Sequence, residues 1–209
     1  MEEKAAEKTD CAEIAADERA VTKKQHHRGG SSEGLLDKTV ILNALNILPD
    51  QTIVDIGCGN GYMSKVFSKA LNNTGIVYAL DPDGAAIAVL RNQTEGTNIH
   101  VIRGDITTIT RLADSSVNLA YLSTVFHGLS PSDIKIFQKE ITRILKPNAR
   151  LAIVEIEKRS TPFGPPLDER FAPGELRLQI PLVPSTLISV GEYFYMQVFE
   201  NREARNAAE

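Results

Sequence analysis

Three glycines at alternate positions, Gly57, Gly59 and Gly61, follow a run that is β-branched or apolar except for one carboxylate, Asp55. Thr52 to Ile56 suits a buried strand, and Tyr62-Met63-Ser64-Lys65-Val66-Phe67 returns to apolar residues at helical spacing. Glycine lets the backbone turn sharply and lets a ligand approach where a Cβ would collide. Strand, glycine loop and helix in that order make a ligand-binding loop. The dinucleotide fingerprint, G-x-G-x-x-G, places its third glycine one residue later and faces a pyrophosphate. Here the spacing is G-x-G-x-G, with Asp55 two residues before the first glycine. A carboxylate repels pyrophosphate but suits a ligand carrying ammonium or sulfonium groups. Cys58, inside the loop, has a small side chain whose expected role there is packing rather than nucleophilic chemistry.

The elements that must position this loop can be read in order. Apolar residues from Leu35 to Leu48 fall near one helix face, and Pro49-Asp50 delivers the chain to the first strand. Ile76 to Leu80 reads as a second strand with Asp81 at its carboxyl end, twenty residues past Gly61. A carboxylate there can accept both hydroxyls of a ribose. Alternatively Asp81 caps the helix expected from Ala85 to Arg91, a role equally open to Asp83. Ile99 to Arg103 is a third strand, after which Asp105 by itself reads as an acid hydrogen-bonded in a turn. Val117 to Leu122 is the fourth, ending in Ser123-Thr124-Val125-Phe126-His127. Ser130-Pro131-Ser132-Asp133 opens a helix expected to run through Leu145, Lys146-Pro147-Asn148 breaks it, and Leu151 to Ile156 is the fifth strand. The prolines from Thr161 to Pro166 stiffen a surface loop, Pro173-Gly174-Glu175 starts a short helical turn, and Thr186 to Val190 with Tyr193 to Glu200 alternates as an antiparallel hairpin.

Bulk properties narrow the class. The 209 residues suffice for one domain with a sizeable core, and the net charge of -4 leaves no basic excess for nucleic acid. No apolar run approaches the length of about twenty residues needed to cross a bilayer, and Met1-Glu2-Glu3-Lys4-Ala5 lacks the basic-then-apolar pattern of a secretory signal. A cytoplasmic location is expected. Two cysteines, Cys11 and Cys58, far apart in sequence, predict neither a disulfide nor a zinc site, and no metal site is expected. Residues 1–30, polar and poor in large aliphatics, read as a solvated helix or tail; 31–200 form the domain and 201–209 a tail.

With Asp55, Gly57, Gly59 and Gly61 matching D/E-x-G-x-G-x-G after a first strand, residues 35 to 200 resemble the class I S-adenosylmethionine-dependent methyltransferases, especially compact small-molecule members such as the quinone-biosynthesis C-methyltransferases. The resemblance implies an α/β, Rossmann-like, doubly wound seven-stranded sheet, mostly parallel with an antiparallel C-terminal hairpin. It implies S-adenosyl-L-methionine as cofactor and a small-molecule methyl acceptor, and it offers a lid helix closing over the cofactor as the alternative to a tail for residues 1–30. The Gly57 and Gly59 backbone would face the methionine moiety, with Asp55 balancing its charge, and Cys58 and Gly61 would complete the cofactor-binding loop. Asp81 would bind the ribose and Asp105 the adenine amine, with Ile106 and Pro82 on the two faces of the ring. Ser123 would stand on the rim where the methyl group is presented. His127 is the histidine near that rim, and its ordinary pKa suits a general base, although relatives also use histidine in this V-x-H-x-L stretch for packing. Glu155, Glu157, Asp168, Glu169 and Arg170 are weaker candidates for substrate contact. A second reading is a protein that binds the cofactor without transfer, as a sensor or partner subunit. Acceptor identity and oligomeric state have no motif here.

Overall fold

The computed structural model describes residues 33–202, so the tail or lid helix expected over 1–30, and the last seven residues of the expected C-terminal tail, lie outside the described residues. The strands are β1 (Thr52–Ile56), β2 (Ile76–Asp81), β3 (Ile99–Arg103), β4 (Val117–Ser123), β5 (Leu145–Ile156), β6 (Val183–Gly191) and β7 (Phe194–Glu200). They form one seven-stranded sheet in the order β3-β2-β1-β4-β5-β7-β6. β1 to β5 pair in parallel, whereas β7 runs antiparallel to both β5 and β6. The doubly wound sheet closed by a C-terminal hairpin is therefore as expected, and β7 is inserted between β5 and the edge strand β6.

Among the described residues, five helices cover the two faces: α1 (Lys38–Leu45), α2 (Tyr62–Ala70), α3 (Gly84–Gln93), α4 (Pro131–Ile144) and α5 (Pro173–Gln179). The central strands are apolar on both sides because both sides are covered. Ile53, Val77, Leu119 and Val154 share one core with Ile41, Phe67 and Leu90 of α1 to α3. Val54, Leu80, Leu122 and Ile153 share the other with Phe137 and Ile141 of α4 and Leu176 of α5. Ser130 and Asp133 make a reciprocal capping box at the start of α4, with Pro131 in the first turn.

Several boundaries differ from the sequence reading. α1 is shorter than Leu35–Leu48 because Asp37 caps it, accepting from the Thr39 and Val40 N–H groups, and Asn46 ends it in the left-handed region with φ 42°. α4 ends at Ile144 and β5 starts at once, so Lys146-Pro147-Asn148 lies inside a twelve-residue strand. Proline cannot extend the helix, but Asn148, at φ 63°, stays attached through its N–H to the Asn201 carbonyl. Asn201 in turn donates to the Ala149 carbonyl, so this first residue of the expected tail is tied to β5. β6 begins at Val183, ahead of Thr186, with a register irregularity between Pro184 and Leu187.

In the order of this sheet the winding reverses between β1 and β4. In open α/β sheets a crevice opens at that point, beyond the carboxyl ends of the strands. Those ends carry Asp55, Gly57 and Ser123.

Candidate functional site

The glycine loop is built by three left-handed residues, Gly57 (φ 69°), Gly59 (φ 52°) and Gly61 (φ 72°). A Cβ on Gly57 would overlap Val125, and one on Gly61 would overlap Leu90 of α3, so these two glycines are required by packing. A Cβ on Gly59 would meet nothing within 4 Å. Its glycine serves the backbone conformation and leaves that side of the loop open. The Gly57 and Cys58 N–H groups both donate to the Leu80 carbonyl, at 2.8 and 3.1 Å, which fastens the loop to the end of β2. Cys58 is buried, and burial pushes its thiol well above the usual range, in keeping with packing.

Asp81 completes the attachment. Its Oδ2 accepts from Gly59 N–H at 2.8 Å and its Oδ1 from Asp83 N–H at 2.8 Å. The helix-capping role left open by sequence belongs to Asp83, which accepts from the Ala85 and Ala86 N–H groups. Each carboxylate oxygen has more than one lone pair, so Asp81 retains acceptor capacity for two hydroxyls. Asp105, after β3, accepts from both the N–H and the hydroxyl of Thr107, at 2.8 and 2.7 Å. Ile106 is buried beside it and Pro82 is exposed beyond β2.

Asp55 lies beneath the loop rather than on its open side. It is buried and accepts from the Ser64 hydroxyl of α2 at 2.5 Å. Burial pushes its carboxyl up to about 7, with the Asp81 charge adding and the Ser64 hydrogen bonds opposing. Beside it in register on β4 is Tyr121, whose ring meets Phe67 edge-on at 5.0 Å. The Tyr121 hydroxyl and the Ser123 hydroxyl are buried without a hydrogen-bond partner. Orphaned polar atoms at the end of β4 mark a place where a polar ligand group would be accepted. Tyr121 was not foreseen; its signal was a hydroxyl-bearing side chain between Ala120 and Leu122, two residues before Ser123.

On the opposite face of the sheet, His127 and Glu155 meet. The buried Glu155 on β5 accepts from the His127 N–H at 3.2 Å and lies 2.8 Å from its Nδ1. His127 sits in a 3₁₀ turn, Phe126–Gly128, just after Val125. Thr124, which precedes them, is a non-glycine residue at φ 55°, a conformation found where a rim is held under strain. The other weak candidates scatter: Glu157 pairs with Arg159, Asp168 and Glu169 are exposed, and Arg170 is buried. Arg170 donates to the carbonyls of Glu157, Arg159, Phe163 and Pro165 and to the Thr161 hydroxyl, which makes it the organiser of the proline loop.

The donor and acceptor set fits a cationic nucleoside. An acid with spare lone pairs stands at the end of β2, an uncrowded glycine opens the loop, unpartnered hydroxyls stand at the end of β4, and a buried carboxyl lies underneath. Among the described residues no helix is long and apolar enough to cross a membrane.

Comparison with known proteins gives the same direction. Residues 53–148 match the family model of the methyltransferase domain. Among curated proteins, a 37.1 kDa protein of a Streptomyces fradiae transposon is 32% identical over 120 residues, covering 56% of this chain and 34% of that protein. The ubiquinone/menaquinone biosynthesis C-methyltransferase of Laribacter hongkongensis is 26% identical over 133 residues, covering 63% and 53%. The chain thus spans between a third and about half the length of these two relatives. A methyltransferase structure from Aquifex aeolicus superposes with a TM-score of 0.74 at 24% identity, covering 87% of this chain and 98% of that one. One from Mesorhizobium loti superposes with a TM-score of 0.64 at 15% identity, covering 81% and 100%. By motif, matched domain and sheet, this chain is similar to the class I S-adenosylmethionine-dependent methyltransferases, the quinone-biosynthesis C-methyltransferases among them, and the likeness supports S-adenosyl-L-methionine as its cofactor.

Proposed function

We propose that the protein catalyses in-line methyl transfer from S-adenosyl-L-methionine to a small molecule in the cytoplasm. The observation that carries this reading is the Asp81 carboxylate, held at the crevice by Gly59 and Asp83 with acceptor capacity to spare. The bound cofactor would supply an electrophilic methyl on a good leaving group, so the protein's task is to align the reactants and exclude water.

Within that reading, Asp81 accepts the ribose hydroxyls, and the open side of Gly59 admits the methionine portion. Asp105 accepts from the adenine amine, with Ile106 and Pro82 against the ring. Asp55, underneath, gains its charge when a cation sits above it. Ser123 and Tyr121 offer hydroxyls to the cofactor or the acceptor at the end of β4. Cofactor binding without transfer is not favoured, because the strands ending nearest the crevice also bring a histidine and a buried carboxylate together.

The test is incubation with methyl-labelled cofactor and a panel of small phenols, enols, amines and thiols, read by mass spectrometry. Label in an acceptor with matching formation of S-adenosylhomocysteine supports the reading. Cofactor binding without label transfer to any acceptor class contradicts it.

A further inference from the structure

Two hydroxyls on β4 are buried without partners, and they belong to one neighbourhood. Tyr121 and Ser123 stand two residues apart on the strand, so their side chains share a face of the sheet. Tyr121 is fully buried, with its ring edge-on to Phe67 of α2 at 5.0 Å. The Ser123 hydroxyl is near enough to act on the phenol, yet neither oxygen makes a hydrogen bond. A buried hydroxyl without a partner costs stability, and phenylalanine and alanine would fill nearly the same space without that cost. Two such atoms side by side mark a place that a bound group completes.

The surroundings set the sign of that group. Asp55 is the register neighbour of Tyr121 across β1 and β4, so its carboxyl lies on the same face. It is buried, and the Ser64 hydroxyl of α2 holds it at 2.5 Å. Burial is the main cause that raises the Asp55 carboxyl, the Cys58 thiol and the Tyr121 phenol, and in each the charge of a neighbouring acid adds to it: Asp81 on Asp55, both acids on Cys58, Asp55 on Tyr121. Among the described residues no lysine, arginine or histidine forms an ion pair with Asp55 or Asp81. A negative region with two idle hydroxyl oxygens suits a cation rich in N–H donors and repels a carboxylate. A primary ammonium has three donors and no acceptor.

We propose that the Tyr121 and Ser123 hydroxyls, with Asp55 as counter-charge, form the subsite for the amino group at the methionine end of the cofactor. The inference rests on the cofactor reading above. The ammonium donates to the two hydroxyl oxygens and lies against the Asp55 charge. The neighbouring carboxylate of the same ligand is kept from this place by Asp55 and Asp81, and turns to the side of Gly59, where a Cβ would meet nothing within 4 Å. Tyr121 is then a binding residue that distinguishes an amino-acid-bearing adenosyl ligand from one without the amino group.

Calorimetry compares wild type, Tyr121→Phe, Ser123→Ala and the double variant with four ligands. These are S-adenosylhomocysteine, its analogue lacking only the amino group, its analogue lacking only the carboxylate, and methylthioadenosine, which lacks both. Melts of the ligand-free proteins check folding. Tyr121→Phe keeps the ring against Phe67 and removes an orphaned hydroxyl, so its Tm should equal or exceed that of wild type. The variant is expected to bind S-adenosylhomocysteine and the carboxylate-free analogue about tenfold or more weakly, the scale of a hydrogen bond to a charged group. Ser123→Ala loses affinity for the same two ligands, whereas the amino-free analogue and methylthioadenosine bind every variant as they bind wild type. Equal losses with and without the amino group, a loss that follows the carboxylate instead, or no loss in the folded variants overturns the proposal, while wild-type binding of S-adenosylhomocysteine leaves the cofactor reading standing. If Tyr121→Phe does not fold, Ser123→Ala decides by the same criteria. Wild type that binds none of the ligands overturns both.

Discussion

The backbone N–H of Gly59 donates to the carboxylate of Asp81 across 2.8 Å, joining the loop after β1 to the end of β2. Two features twenty-two residues apart in sequence thereby become one site. The acid that shapes the loop is the one proposed to hold the ligand, so on that reading binding and local architecture would depend on the same side chain.

The glycines of the loop separate packing from ligand access. Gly61→Ala forces a side chain into Leu90 at a left-handed position, and is expected to lower the melting temperature clearly. Gly59→Ala meets open space and pays only the left-handed conformation, about 1–2 kcal/mol. It should stay folded with a modest drop in Tm while losing cofactor affinity, because its methyl enters the open side of the loop. Paired thermal melts and calorimetry separate the two effects.

Asp55 makes a pH prediction. Its carboxyl is raised from 3.8 to about 7 in the folded protein, chiefly by burial. Between those values the folded state holds a proton that the unfolded chain has released, so this group's contribution falls as pH rises from about 4 to 7 and is then constant. Asp55→Asn is expected to raise the Tm of the ligand-free protein at pH 8, and to do so little near pH 4. Cofactor affinity of the wild type should increase through pH 7, since a cation favours the ionised acid, and this increase should vanish in Asp55→Asn. Calorimetry at pH 6 and pH 8 checks both signs.

Legibility in the sequence followed the range of the interactions. The strands around the loop rest on local apolar runs and glycine spacing and were readable, whereas the seven-stranded sheet with its closing hairpin was what the family resemblance implied. Asp81 was readable as an acid at a strand end, yet its bond to Gly59 joins two loops and has no local signature. His127 and Glu155 were each visible as titratable residues, but their pairing depends on β4 lying beside β5, with Thr124 bonded to Val154. Boundaries were misjudged where a long-range partner decides them. Asn148 stays in β5 because Asn201 accepts its N–H, fifty-three residues away.

Arg170 had the least visible role. The residue is 5% exposed, and its guanidinium gathers four carbonyls and a hydroxyl of the loop from Glu157 to Pro165. Arg170→Lys keeps the charge but loses the fork that reaches five acceptors. The expected result is a loss of about 2 kcal/mol or more, in line with several hydrogen bonds to a charged group. Early proteolysis within the proline loop and a raised KM for the acceptor should accompany it, with cofactor affinity unchanged. Limited digestion and steady-state kinetics are the measurements.

The central claim is that the crevice at β1, β2 and β4 binds S-adenosyl-L-methionine through Asp81. Isothermal titration of wild type and Asp81→Ala tests it most directly, with melts to confirm that the variant is folded. The account predicts one cofactor per chain for wild type, and affinity weaker by about tenfold or more in the variant, since a hydrogen bond to a charged group is worth about 1.5–3 kcal/mol. No binding by wild type, or equal affinity in a folded Asp81→Ala, would contradict it.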